Sequence, residues 1–189
     1  NPVMLRFIIF LRNAKRTHSA TMNIAALHPE ISHIVAMSGF VSVKEMIGTF
    51  FSGILKGYRE VILGLERESN PKYVEYNAVQ TLSNSKVKAL LIYSENDQMC
   101  RRVHYDILKA GLDGKENVDF IFVSNKGHNP NYTEAALGLL GEFSKARTKL
   151  AKKKNATKEE KAKFVASFNW EKMTEQDEAV WNVIFEHLA

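Results

Sequence analysis

The chain has 189 residues, 45% of them hydrophobic and 25% charged, with a formal net charge of +5 and a single cysteine. That is enough chain for one ordinary domain with its own core, and the balance excludes a disordered, collagenous or disulfide-scaffolded protein. No apolar run approaches the roughly 18 residues of a membrane span. Cys100 as the only thiol fits a cytoplasmic address.

Residues 3–11, "VMLRFIIFL", are interrupted by Arg6 and read as a short buried strand. A helix is expected over residues 20–27, stopping before Pro29. Residues 31–40, "ISHIVAMSGF", predict a buried strand that ends in Ser-Gly. Residues 41–85 have helical periodicity and no clear strand, with Met46, Ile47, Phe50, Phe51, Ile54 and Leu55 on one apolar face. An insertion between sheet strands commonly sits over the carboxyl edge, where ligands bind; an ordinary packed helical pair has the same pattern.

Residues 87–93, "VKALLIY", and 118–123, "VDFIFV", are continuous apolar runs, as in a parallel sheet buried on both faces. Between them residues 101–112 carry Val103, Ile107, Leu108 and Leu112 at helical spacing. A longer helix is expected over 131–150, with Thr133 and Glu134 in its first turn and Ala135, Leu139 and Phe143 on one face. Strands alternating with helices give an α/β fold with a mostly parallel sheet.

Residues 145–163 hold nine of the 26 lysines and arginines. A basic run can bind nucleic acid, but this one has no aromatic residue for stacking on bases, and Glu159 and Glu160 interrupt it. It reads as a solvated helix end and linker, and no nucleic-acid partner is expected. Thr174 is expected to start a last helix, with Asp177 three residues on in a capping pattern. Val180, Trp181, Ile184, Phe185 and Leu188 form a stripe that packs on the body.

The chemistry concentrates where strands end. "LIYSENDQM" puts Asp97 on a turn after one strand, and "FIFVSNKGHNPN" puts His128 on a turn after the next. Adjacent parallel strands joined by one helix bring their carboxyl ends together. Asp97 and His128 should therefore share an edge, where a buried Asp fixes the imidazole tautomer and stabilises the imidazolium. Each residue alone is an ordinary turn residue; their joint placement points to catalysis. "THSATMNIAALHPE" offers Ser19 ahead of a helix as a nucleophile. No His, Cys or carboxylate cluster has metal-ligand spacing, so no metal or cofactor is expected. His104 and Asp106 are expected to be surface residues.

These segments together resemble the C-terminal two-thirds of a bacterial α/β-hydrolase. "MNIAALHPEISHIVAMSGF" resembles the helix after the nucleophile elbow and the next strand. "VKALLIYSENDQM" resembles the strand and loop of the catalytic acid, and "FVSNKGHNPNYTEAALGLLGEF" the histidine loop and final helix. The order Ser, Asp, His is that of the family. The resemblance implies Ser19 as nucleophile, His128 as base, Asp97 as orienting acid and the backbone N–H of Ala20 as an oxyanion-hole donor. It also implies one α/β-hydrolase-like domain over residues 1–189, with a helical lid insertion at about 41–85 and a C-terminal extension at about 164–189.

Two departures stand out. Thr17 takes the place of the first glycine of the G-x-S-x-G elbow, and no glycine follows Ser19. The path from Ser19 to Pro29 is also shorter than the family's by about four residues, roughly one helical turn. Only "NPVMLRFIIFLRNAKR" stands ahead of the serine, so the N-terminal strands are expected to be missing or reduced. Two functions stay open. One is a serine hydrolase acting on a small ester or similar acyl substrate through an acyl-enzyme. The other is a catalytically inactive remnant that binds or oligomerises, for example as a homodimer through an exposed sheet edge.

Overall fold

The computed structural model describes residues 17–153 and 155–189. The strand expected at residues 3–11 lies outside them. In chain order the elements are α1 (Thr17–Leu27), β1 (His33–Met37), α2 (Val43–Phe50), a 3-10 segment (Gly53–Tyr58), α3 (Arg59–Ser69), α4 (Ala78–Ser83) and β2 (Lys88–Ser94). Then come α5 (Arg102–Gly111), β3 (Val118–Val123), α6 (Glu134–Ala151), α7 (Lys158–Ala166), α8 (Trp170–Met173) and α9 (Glu178–Leu188).

The fold is α/β. The three described strands form one parallel sheet in the order β1-β2-β3, with Val35 beside Leu90 and Leu90 beside Asp119. β2 lies in the middle and is buried from Ala89 to Ser94, which is why its sequence shows no polar alternation. β1 stops at Met37 because Ser38 adopts φ 52, in the left-handed region.

Helices cover both faces of the sheet. On one, Ile34, Ala36, Ala89, Leu91 and Tyr93 meet α1, α4 and α5 through Met22, Leu82 and Leu108. On the other, Leu90 and Ile92 meet α9 through Val180, Ile184 and Leu188. Each fully buried Leu, Ile, Val or Met among these contributes about 1.5–3 kcal/mol from its transfer out of water. The C-terminal helix is therefore part of the core.

Several expected faces are rotated. In α5 the buried residues are His104 and Leu108, while Val103 is 45% exposed. His104 continues a stripe to Leu108 and Leu112 at four-residue spacing, which an apolar-only reading misses. In α6 it is Ala136 that is buried and Ala135 that is exposed, and Thr133 is the N-cap, accepting the Ala136 N–H. The last helix starts later than expected. Asp177, not Thr174, is its N-cap, because its carboxylate accepts the Ala179 and Val180 N–H groups.

Between β1 and β2, residues 43–76 form a helical excursion closed at its neck. Ser42 and Asn77 pair in an antiparallel bridge, and the Ala78 N–H donates to the Val41 carbonyl at 2.8 Å. Ile47, Leu63 and Val74 give the excursion a small core of its own. The apolar face expected there is only partly inward, for Phe50 and Leu55 are half exposed and Ile54 is 98% exposed. The physical reason is the break in helix between α2 and the 3-10 segment, which ends the 3.6-residue period the pattern assumed.

The basic stretch covers the end of α6, a turn and α7. There Thr157 and Glu160 form a capping box, and Lys153 pairs with Glu160. α6 is held to the segments after it by rings: Phe143 packs on Phe164, Phe168 and Trp170.

Candidate active site

β2 delivers the acid. Past Ser94 the chain turns, and Asp97 Oδ1 accepts the backbone N–H groups of Met99 and Cys100 at 2.8 and 2.9 Å. That is the local side-chain-to-backbone bond for which Asp favours turns. Its other oxygen, Oδ2, accepts from His128 Nδ1 at 2.9 Å. The Asp97 side chain is 1% exposed and that of His128 23%, so the acid is sealed and the imidazole meets solvent. Burial alone would raise the Asp97 carboxyl. The hydrogen bond and charge of His128, with smaller help from the Cys100 N–H and the Ser38 hydroxyl, outweigh it and hold the group below its ordinary value.

β3 delivers the base. Its loop is bonded to the acid loop along its length. Glu95 N–H donates to the Val123 carbonyl, Asn96 N–H to that of Lys126, and the Ser94 hydroxyl to that of Gly127. Asn125 takes the left-handed conformation at φ 57, which Asn tolerates better than most residues, and its N–H reaches Glu95 Oε2. The parallel β2–α5–β3 unit thus brings Asp97 and His128 together across 31 residues of sequence.

Three supporting positions were not apparent from the sequence. Lys126, two residues before His128, is buried and donates to Asp177 Oδ2 at 2.6 Å and to the Tyr132 carbonyl. A lysine between an apolar strand and a Gly-His pair was the available signal. Ser38 is fully buried at the carboxyl end of β1. Its hydroxyl makes no hydrogen bond of ordinary geometry among the described residues, yet it faces Asp97 closely enough to help lower that carboxyl.

His104 is the third, and it is a core residue rather than the expected surface one; Asp106 is exposed. Nδ1 accepts the Val41 N–H at 3.4 Å, so the ring proton sits on Nε2, 3.1 Å from the Thr49 hydroxyl, which in turn donates to the Glu45 carbonyl. Desolvation lowers its pKa to about 4, against a smaller opposing pull from Asp97, so the ring is neutral. It ties α2 of the excursion to α5.

Ser19 and Ala20 fall in the first turn of α1, which begins at Thr17, where the expectation had Ser19 ahead of the helix. Their side chains lie outside the described residues. With α1 beginning at Thr17, Ala20 is its fourth residue, the first whose N–H has an acceptor within a regular α-helix.

A cavity of about 630 Å³ opens between α1 and the excursion, lined by Ile24, Phe40, Met46 and Tyr73 with Asn23 and Ser42. A larger one, about 850 Å³, lies at the opposite end of the sheet around His33 and Lys88, at the amino ends of β1 and β2. The smaller cavity touches the chain just past β1, at Phe40 and Ser42, and neither Asp97 nor His128 is among the residues lining either cavity. Among the described residues no group of three His, Cys, Asp or Glu is placed to hold a metal, and no helix is long and apolar enough to cross a membrane.

No family model matches the chain, and no curated protein does. Among solved structures the chain is similar to a dipeptidyl aminopeptidase IV-like protein of Bacteroides ovatus, at 23% identity and a TM-score of 0.41 over 59% of this chain. It is similar to a puromycin-hydrolysing peptidase of Mycobacterium tuberculosis, at 12% identity and 0.39 over 53%. It is also similar to an esterase domain of a Rhodothermus marinus protein, at 12% identity and 0.40 over 59%. The matches cover 15%, 15% and 48% of those chains. Two of these three are described as peptidases and one as an esterase domain.

Proposed function

We propose that the protein is a serine hydrolase in which His128 is the general base, Asp97 its orienting acid and Ser19 the nucleophile. The observation that carries this reading is the sealed Asp97 carboxylate bonded to His128 Nδ1 at the carboxyl edge of the sheet. That bond commits Nδ1 to carrying the proton, so Nε2 is the nitrogen that takes the serine proton as Oγ attacks the acyl carbon. The resemblance to α/β-hydrolases assigns the oxyanion of the tetrahedral intermediate to the backbone N–H of Ala20. Collapse releases the alcohol, to which His128 returns the proton, and leaves an acyl-enzyme. Water, deprotonated by the same imidazole, then frees the acid.

The substrate is an ester or a similar uncharged acyl compound. Its acyl part occupies the cavity beside α1, whose aromatic and aliphatic lining with a few polar groups suits such a ligand. The excursion of residues 43–76 serves as the lid over it.

The test is covalent labelling with a fluorophosphonate, followed by peptide mapping. Label is expected on Ser19, absent in His128→Ala, and formed about 10⁴-fold more slowly in Asp97→Asn. A folded protein that takes no label on Ser19 overturns the assignment of the nucleophile.

A further inference from the structure

The C-terminal segment does more than cover one face of the sheet. Residues 131–133, just past His128, pair antiparallel with residues 175–177. The Asp177 N–H donates to the Asn131 carbonyl at 2.8 Å, and the Thr133 N–H to that of Glu175 at 3.1 Å. Side chains repeat the pairing, Asn131 to Gln176 and Thr133 to Glu175. Asp177 uses its two oxygens differently: Oδ1 caps α9, and Oδ2 holds the buried ammonium of Lys126. Lys126 also donates to the Tyr132 carbonyl, so it spans the His128 turn from one side to the other.

We propose that Lys126 and Asp177 are positioning residues for His128, and that the C-terminal segment is thereby a working part of the catalytic site. This rests on the proposed role of His128. Two routes then run to the dyad from one strand. β2 leads through its own turn to Asp97. It also packs, through Leu90 and Ile92, against Ile184 of α9, whose N-cap Asp177 grips the turn bearing His128. Acid and base are registered on the same strand from opposite sides. A buried ion pair is a poor source of net stability, since desolvation offsets the attraction. A lysine and aspartate placed around a reactive turn therefore fit a geometric task, one an apolar pair of similar volume cannot perform.

The double variant Lys126→Met, Asp177→Asn tests this in the full chain. Asn is as good an N-cap as Asp, and Met fills the space of the lysine stem without leaving a buried charge. The fold, read by circular dichroism and thermal melting, is expected to stay close to the parent. The imidazole Nδ1 proton, held by its bond to Asp97, is expected to lose its slowly exchanging NMR signal. Ester turnover is expected to fall about 10- to 100-fold in kcat with KM little changed, as for a misplaced catalytic group. If the double variant does not fold, Asp177→Asn alone carries the same measurements, because its one amide oxygen cannot both cap α9 and hold Lys126. An Nδ1 proton signal and a kcat both unchanged in the folded variant overturn the proposal. The two readouts also separate it from the assignment of function. If the parent shows no turnover, an unaltered proton signal still overturns the positioning role and a lost one still supports it.

Discussion

The turn that carries His128 and the excursion of residues 43–76 both leave carboxyl ends of strands in the same sheet, and they are held in opposite ways. The His128 turn is bonded to the acid loop on one side and to residues 175–177 on the other, and its one buried cation is paired. The excursion is closed at its neck and joined to α5 by His104, and Arg59 ties the Gly48 and Phe51 carbonyls within it, but Phe50, Ile54, Tyr58, Val61 and Leu65 face solvent. The difference fits the tasks proposed for the two regions. Proton transfer requires groups fixed within fractions of an ångström, so its support is polar and directional. A wall around an acyl group needs only apolar surface, which is not directional.

The contrast can be broken most directly at Asp177. Asp177→Ala removes the cap and strands the Lys126 charge, and should cost about 3–5 kcal/mol, read as a lowered urea midpoint. A loss below about 1 kcal/mol would mean that water reaches Lys126 easily, and that the His128 turn is no better held than the excursion. Ile184→Ala, which loosens α9 from β2 without touching any polar group, should cost about 2–4 kcal/mol, and an effect on esterase rate larger than that on stability would extend the clamp to the whole helix.

His104 offers a pH handle on the link between the regions. Its folded pKa, about 4, lies below the ordinary 6.5, so between those values the unfolded chain binds a proton that the folded chain does not. Stability should therefore fall as pH drops from about 6.5 to 4, by about 3 kcal/mol in all. Denaturant titrations of His104→Gln should show that slope flattened; an unchanged slope would assign it to other groups. The smallest effect belongs to the excursion itself. Ile54→Ser should leave the melting free energy within about 0.5 kcal/mol, because the side chain is 98% exposed. A larger loss would show that this surface packs on something in the folded chain.

β1, β2, β3 and the placement of Asp97 and His128 were legible because they follow from local runs and one topological rule. "VDFIFV" matches β3 residue for residue, and the 31-residue step from Asp97 to His128 spans one helix between paired strands. What was not legible was any contact made by a polar side chain in an apolar setting. His104 is buried although histidine falls outside an apolar stripe, because it continues the Leu108–Leu112 line. Lys126 and Asp177 lie 51 residues apart, and no periodicity links them. The excursion's face departs from the periodic pattern because the helix breaks between α2 and the next segment.

The closed neck of the excursion has a consequence for how such a molecule can change over time. Ser42 and Asn77 meet at the base, and residues between them carry their own small core of Ile47, Leu63 and Val74. Insertions, deletions or wholesale exchange of that stretch leave the spacing of β1 and β2 as it was. Among the described residues its outward ties include Thr49 to His104, Phe50 to Phe40 and the packing of Met46 on the main core. Under the proposed function, residues 43–76 can therefore be exchanged as a cassette without moving the Asp97–His128 pair.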